Sequence, residues 1–331
     1  MSRMRRRDFI TLLSGAAVAW PFSARPQQPA PRTIGYLSPR SRDFEEDVLL
    51  PAFRQGLSET GFLVGNNLRI EYRWAEGQYD RLPALAVDLV ASSVELIVTT
   101  GGPQPFRAVR RLTNTIPLVF TSGSDPVGDG LVDRLDRPSG NATGVHAFVT
   151  SLSPKRLELL RELVPKARTI AFLVNPTSQV AEMQITQVQE AGRTFGQEIF
   201  IVNVSTDREI EPAFVALVQR GAGALLMMAD TFFQVSRDRL VALAARYAVP
   251  AMYEWPEFVK AGGLISYSTV RSEYARQAGI YAGRILNGAK PADLPVVQST
   301  RFELVINLKT AKALGLTTPQ TLLVAADEVI E

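Results

Sequence analysis

Ile170-Ala171-Phe172-Leu173-Val174, followed by Asn175-Pro176, is the stretch whose reading decides the fold. Five apolar residues in unbroken succession leave no polar face. As a strand, the segment must be covered on both sides, which is the condition of a parallel sheet between layers of helix. Short β-branched runs of the same kind recur on either side. Strands are expected at Ile34–Ser38, Leu68–Trp74, Leu96–Thr100, Leu118–Thr121, Ile170–Asn175, Ile199–Val204, Leu225–Ala229, Ala251–Tyr253 and Leu264–Tyr267.

Between these runs the apolar period changes to that of a helix. Leu240, Leu243, Ala244 and Tyr247 form one stripe behind Ser236 as cap, and Ile210, Phe214, Leu217 and Val218 form another behind a Thr206-x-x-Glu209 capping box. Ser153-Pro154 has the order of cap and first-turn proline. A longer helix carries Tyr274, Ala278, Tyr281 and Ile285 on one face and stops at Asn287-Gly288. Strand and helix alternating in this way give a doubly wound α/β architecture, because parallel neighbours need crossover helices. At 331 residues the chain exceeds what one core supports, so the strands divide between two parallel-sheet lobes. The first break is expected near 140–153, and the segment after Tyr267, including 291–305, reads as further passes between the lobes.

The charges are distributed unevenly. The chain has 36 basic and 33 acidic side chains, yet Arg3, Arg5, Arg6 and Arg7 lie within the first eight residues. Removal of residues 1–24 would leave 32 of each sign, so a nucleic-acid partner, which needs a basic footprint, is not expected. That basic cluster, the apolar stretch Phe9–Trp20 and the small residues behind Pro21 read as an export signal over 1–24. Arg6-Arg7-Asp8-Phe9-Ile10 fits the twin-arginine route. Residues 25–31, rich in Pro and Gln, read as an extended tether. The expected location is the periplasm, with the signal removed.

Composition closes off much chemistry. With no cysteine there is no disulfide scaffold, thiol catalysis or thiolate metal site. One histidine, His146, excludes histidine-rich metal centres; it is read as a satisfied, half-buried residue, and no Gly-x-Ser-x-Gly elbow is present. Neither phosphate-binding glycine motif occurs. No metal, cofactor or catalytic residue is therefore expected. What remains are six turns at the carboxyl ends of strands, where open α/β sheets bind ligands: Ser38–Arg40, Thr99–Pro103, Ser122–Pro126, Asn175–Ser178, Ala229–Thr231 and Tyr253–Trp255. Their hydroxyls, amides and helix-start N–H groups suit a small polar ligand with a carboxylate. Asp125 and Asp230 could hold an ammonium, and Tyr36, Phe232, Tyr253 and Trp255 could line the pocket. Taken singly, each such residue also has a local role as a cap or turn. Met227-Met228 reads as core, and Arg107, Arg110 and Arg111 as a solvated helix face.

Several segments carry a family resemblance: Ile34-Gly35-Tyr36-Leu37-Ser38, Gly128-Asp129-Gly130-Leu131-Val132, Asn141-Ala142-Thr143-Gly144-Val145, Lys155–Leu160, Gly262–Tyr267, Gly288–Pro295, Phe302–Lys309 and the closing Ala326–Ile330. In this order they resemble the substrate-binding proteins of ABC importers with the type I periplasmic-binding-protein fold, in the group related to tryptophan- and tyrosine-type binding proteins. The resemblance implies two lobes joined by a three-segment hinge that closes on a solute and docks on a membrane permease. We assign 32–145 with about 268–296 to the first lobe, and 146–267 with about 297–331 to the second. Carried over by position, the ligand contacts are Ser38, Thr100, Gly101, Ser122, Asp125, Asn175, Asp230 and Tyr253. Thr231 departs from the proline or small residue common at that place. The expected protein is a monomeric periplasmic receptor for an aromatic or branched amino acid or related carboxylate. The alternatives are an exported sensor docking on a membrane receptor, and a periplasmic enzyme using Asp125 with Asp230.

Overall fold

The 170–174 run is a strand with no exposed side chain, flanked by strands on both sides. The structure is a computed structural model and describes residues 30–331, so the expected export signal and residues 25–29 of the tether lie outside the described residues. In chain order the strands are β1 (Arg32–Ser38), β2 (Leu68–Trp74), β3 (Leu96–Thr99), β4 (Leu118–Ser122), β5 (Ala142–His146), β6 (Thr169–Val174), β7 (Glu198–Asn203), β8 (Ala224–Met227), β9 (Ala251–Tyr253), β10 (Ile265–Thr269), β11 (Val297–Gln298), β12 (Phe302–Asn307) and β13 (Glu328–Ile330). They form two sheets, ordered β11-β5-β4-β3-β1-β2 and β13-β12-β10-β9-β8-β6-β7. The cores of both share one order, β2-β1-β3-β4-β5 and β7-β6-β8-β9-β10, with every pair parallel. Each sheet therefore has a switch point where loops diverge, between β1 and β3 and between β6 and β8. The antiparallel pairing of β10 with β12 lies away from both.

Four strands were absent from the expectation. β5 contains Ala142 and Gly144, residues of weak strand preference, and lies at the break expected near 140–153. Gly144 is required there because a Cβ would lie 2.1 Å from the Phe120 carbonyl oxygen. β11, β12 and β13 are short or fall in the segment read as passes between lobes; β12 adds to the second sheet and β13 pairs with it.

The helices follow their apolar stripes, with local corrections. Leu240, Leu243 and Ala244 are buried, as are Ile210, Phe214 and Leu217, but Val218 faces water. Ser153 lies inside its helix and donates to the Thr150 carbonyl and Gln184 Oε1, so it is not a cap. Ser236 precedes the Arg237–Arg246 helix without capping it through its side chain. Glu209 accepts from the backbone of Ser205 and Thr206, as the box requires. The Arg271–Leu286 helix lies against Leu50–Ser58, so after β10 the chain returns to the first sheet.

The chain passes between the sheets after β5, β10 and β11, and the three passing segments are bonded side by side. Ser299 N donates to His146 O at 2.9 Å, Thr269 Oγ1 to Ala147 O at 2.9 Å, and Val270 N to Arg301 O at 3.1 Å. His146 closes β5 and thus belongs to the first sheet, and Val297–Gln298 stay with that sheet as well.

His146 also departs from its expected half-buried, satisfied state. It is buried, stacked on Phe148 at 3.9 Å, and neither ring nitrogen has a hydrogen-bond partner among the described residues. Burial pushes its pKa down to about 4, against the pull of the Asp125 charge. The folded value lies below the ordinary 6.5, so the unfolded chain takes up this proton first. The contribution of this group to stability should be flat above pH 6.5 and fall towards pH 4, by at most about 3 kcal/mol. As the chain has one histidine, urea unfolding of the protein and of His146→Phe across that range isolates the effect. Equal slopes for the two would show that the ring is not buried neutral.

Candidate functional site

All six turns singled out in the sequence send residues to one cavity between the lobes. Its wall takes Arg40 from behind β1, Gly101–Gln104 from behind β3 and Thr121–Ser124 from the end of β4; the second lobe adds Ser178, Ala229–Thr231, Gln234 and Trp255. Ala147, Val149 and Thr150 enter from the first pass between sheets, Val180 from the second lobe and Tyr274 from the second pass. The space between atoms is about 550 Å³, open solvent at its mouths included.

Among the eight residues carried over by position, Gly101, Ser122 and Asp230 line this cavity. Ser38 and Thr100 lie one layer behind it: both hydroxyls donate to Glu45 Oε1, at 2.5 and 3.3 Å. Asn175 lies behind Asp230 and donates to its Oδ1 at 2.9 Å. Tyr253 is core, stacked on Phe258 at 4.8 Å. Asp125 is exposed, and its Oδ1 accepts from Val127 N at 3.0 Å, which makes it a turn residue. It does not share the cavity with Asp230. Of the four aromatic candidates, Trp255 lines the cavity, Phe232 lines a neighbouring surface groove, and Tyr36 and Tyr253 are buried in the core. Met227 and Met228 are buried as expected. Arg110 and Arg111 are exposed as expected, whereas Arg107 is half-buried and its guanidinium donates to Asp129 O at 2.6 Å and to Gln179 Oε1 of the second lobe.

Sequence reasoning missed the groups that organise the wall. Glu45 is fully buried and accepts from Tyr36 Oη at 2.9 Å, Ser38 Oγ, Thr100 Oγ1 and, at 3.3 Å, Arg40 Nη1. It sits at the head of a π-helical segment, Glu45–Leu49, which turns it inward from a run of four acids that a regular helix would distribute differently. Burial opposes the charge of Arg40, but Glu45, with Tyr274 and Tyr36, outweighs it and holds the guanidinium above its ordinary pKa. Arg40 also reaches the other lobe, Nε donating to Gln234 Oε1 at 2.8 Å. A second bond crosses the cleft where Tyr79 Oη donates to Asp230 Oδ2 at 2.8 Å. Asp230 caps the Thr231–Val235 helix through Phe232 N at 2.9 Å. Burial pushes its carboxyl above the usual range, opposed by hydrogen bonds from Asn175, Tyr79 and Ser178.

Under the wall lies a second layer of charge. Glu254 is fully buried, and burial pushes it up to about 8 against the nearby Arg156 and Arg271 guanidiniums. Arg271 stacks on the Trp255 ring at 3.6 Å and fixes that wall residue from behind. The only acid and the only base on the cavity wall, among the described residues, are Asp230 and Arg40.

Two parallel-sheet lobes with a cavity at their facing switch points define a two-lobed binding protein of the type I periplasmic class. The chain belongs to the ABC transporter substrate binding protein family, which it matches over residues 47–330. It is similar to a tyrosine-binding protein of Clostridioides difficile (strain R20291), with 26% identity over 270 residues covering 82% of this chain and 77% of that protein. The crystal structure of an ABC domain in complex with L-Trp from Streptococcus pneumonia superposes with a TM-score of 0.81 at 25% identity, covering 91% of this chain and 100% of that one. The ligand-free, open structure of a substrate binding protein with adhesive properties from Clostridium difficile gives 0.64, also at 25% identity, covering 90% and 99%.

Proposed function

We propose that the protein is the exported receptor of an ABC importer, which captures a small organic solute by closing two lobes on it and presents the closed form to a membrane permease. The solute is an aromatic or branched amino acid or a related carboxylate. The observation that carries this reading is the convergence of all six strand-end turns, three from each lobe, on one cavity spanned by the Tyr79–Asp230 and Arg40–Gln234 bonds. Groups from both lobes that meet only when the lobes approach let ligand contacts bias a hinge equilibrium toward closure. The bonded segments after β5, β10 and β11 form the hinge in this reading and divide the lobes at about 146, 269 and 298. The ligands in the names of the two relatives support an aromatic solute. At equal identity, the lobes match the L-Trp complex better than the ligand-free, open structure, which supports a closed arrangement here. The working form is a monomer in the periplasm.

A panel of L-tryptophan, L-tyrosine, L-phenylalanine, L-leucine and their carboxylate analogues, added to protein purified, unfolded and refolded to strip carried-over solute, tests the reading. A ligand at about 100 times its Kd should add about 2.7 kcal/mol to stability, read as a rise in Tm. Unchanged melting with the whole panel would sink it.

A further inference from the structure

Behind the cavity wall, on the side of the first sheet, lies a second void. Tyr36, Leu49, Phe53, Val98, Thr100 and Ala278 line it, every one of them buried. The space between its atoms is about 210 Å³, any open solvent included. The polar ends of Tyr36 and Thr100 already donate to Glu45, so what the void offers is apolar surface. Two further residues line both this void and the cavity between the lobes. They are Thr121, from β4, and Tyr274, from the first turn of the Arg271–Leu286 helix.

These two shared side chains are held in place by packing. The Tyr274 ring lies 6.5 Å from that of Trp255, tilted by 54°. Its Oη makes no hydrogen bond among the described residues, although a buried tyrosine ordinarily finds a partner, and burial pushes the hydroxyl pKa up. Thr121 is fixed through its backbone, in the ladder between β4 and β5. Neither side chain takes part in the Glu45 network or in the Arg40–Gln234 and Tyr79–Asp230 bonds across the cleft. A smaller residue at either place therefore removes bulk and leaves those bonds intact.

Resting on the receptor reading above, we propose that Tyr274 is the size-determining residue of the site: its ring, with Thr121 beside it, stops the apolar body of the solute at the first-lobe wall. With that ring gone, a longer body enters the void among Tyr36, Phe53 and Val98. An apolar pocket separates ligands differing by one methylene by about 10–200-fold, so removing part of a ring from its end wall reorders long and short solutes.

Calorimetric titration of wild type, Tyr274→Leu and Thr121→Ala with L-leucine, L-phenylalanine, L-tryptophan and indole tests this. Both variants open the void, each from a different element. The affinity for L-tryptophan relative to L-leucine should rise by about tenfold or more in Tyr274→Leu, and by less in Thr121→Ala. Indole, which has no charged group to anchor, should bind both variants more tightly than wild type. General damage to the site would weaken all ligands together and leave the ratio where it was. If Tyr274→Leu does not fold, Thr121→Ala carries the same test with a smaller change. An unchanged ratio with indole no tighter would overturn the proposal and leave the receptor reading standing. Wild type that binds none of the three amino acids, alongside variants that gain indole, would remove the solute class and keep Tyr274 as the limit of the cavity. No amino acid bound and no gain in indole would overturn both.

Discussion

Gly279→Ala is expected to destabilise the protein by about 3 kcal/mol or more, at the upper end of what overpacking a core costs. The two helices Leu50–Ser58 and Arg271–Leu286 touch backbone to backbone. A Cβ on Gly279 would stand 2.1 Å from the Phe53 carbonyl oxygen, and one on Gly56 would stand 2.0 Å from that of Arg276. Neither obstacle is a side chain that can rotate away, so the helices must separate, loosening the contact among Phe53, Leu57, Ala278 and Ala282, all buried. Protein interiors are close-packed, and such a shift forfeits dispersion contacts along the whole interface. The effect should reach the cavity, because the same helix carries Tyr274 on its wall and Arg271 behind Trp255. Gly128→Ala is the control. It meets the Asp125 carboxylate at 2.8 Å, the far end of an exposed side chain that can swing clear. Chemical denaturation of both variants separates the cases: a loss below 1 kcal/mol for Gly279→Ala would mean the helices have slack that their spacing denies.

That interface also marks where the sequence stops being legible. The wholly apolar 170–174 run, the alternation of strand and helix, and the six loops at strand ends carry the architecture and the position of the cavity. Each depends on local pattern, and burial on both faces leaves a signature in composition. The glycines of the two packed helices leave none, because what they accommodate is a partner more than 200 residues away. β5 was hidden for the same reason: its Gly144 weakens the strand signal while meeting a demand of its neighbour, Phe120. In the site, Asp125 and Asp230 both follow a strand and both look like cleft acids, yet one faces water and the other is buried against Tyr79. Which loop folds inward is decided by packing between lobes. Glu45 lay among Asp43, Glu46 and Asp47 with nothing in its spacing to mark it, since the π-helical turn that selects it breaks the 3.6-residue period.

Glu45→Ala should be as damaging to stability as Gly279→Ala and more damaging to binding. The carboxylate is fully buried and is the acceptor for Tyr36, Ser38, Thr100 and Arg40. Removing it strands three hydroxyl donors and leaves the Arg40 guanidinium, 7% exposed, without its counter-ion. Breaking a buried ion pair by deleting one partner costs about 3–5 kcal/mol, most of it the price of the charge left behind. The second variant tells that charge apart from mere loss of packing. If an uncompensated Arg40 is the cause, Glu45→Met combined with Arg40→Met should recover much of the lost stability, because two apolar chains of similar length replace the pair without a buried charge. Binding should not recover with it, since Arg40 supplies both the cation on the wall and the bond to Gln234 across the cleft. Urea unfolding and calorimetry on the two variants read the two quantities separately. A double variant as unstable as Glu45→Ala would shift the cause to the hydroxyl network of Tyr36, Ser38 and Thr100. Full binding in the double variant would remove Arg40 from the site and, with it, the reason for a carboxylate to enter the cavity.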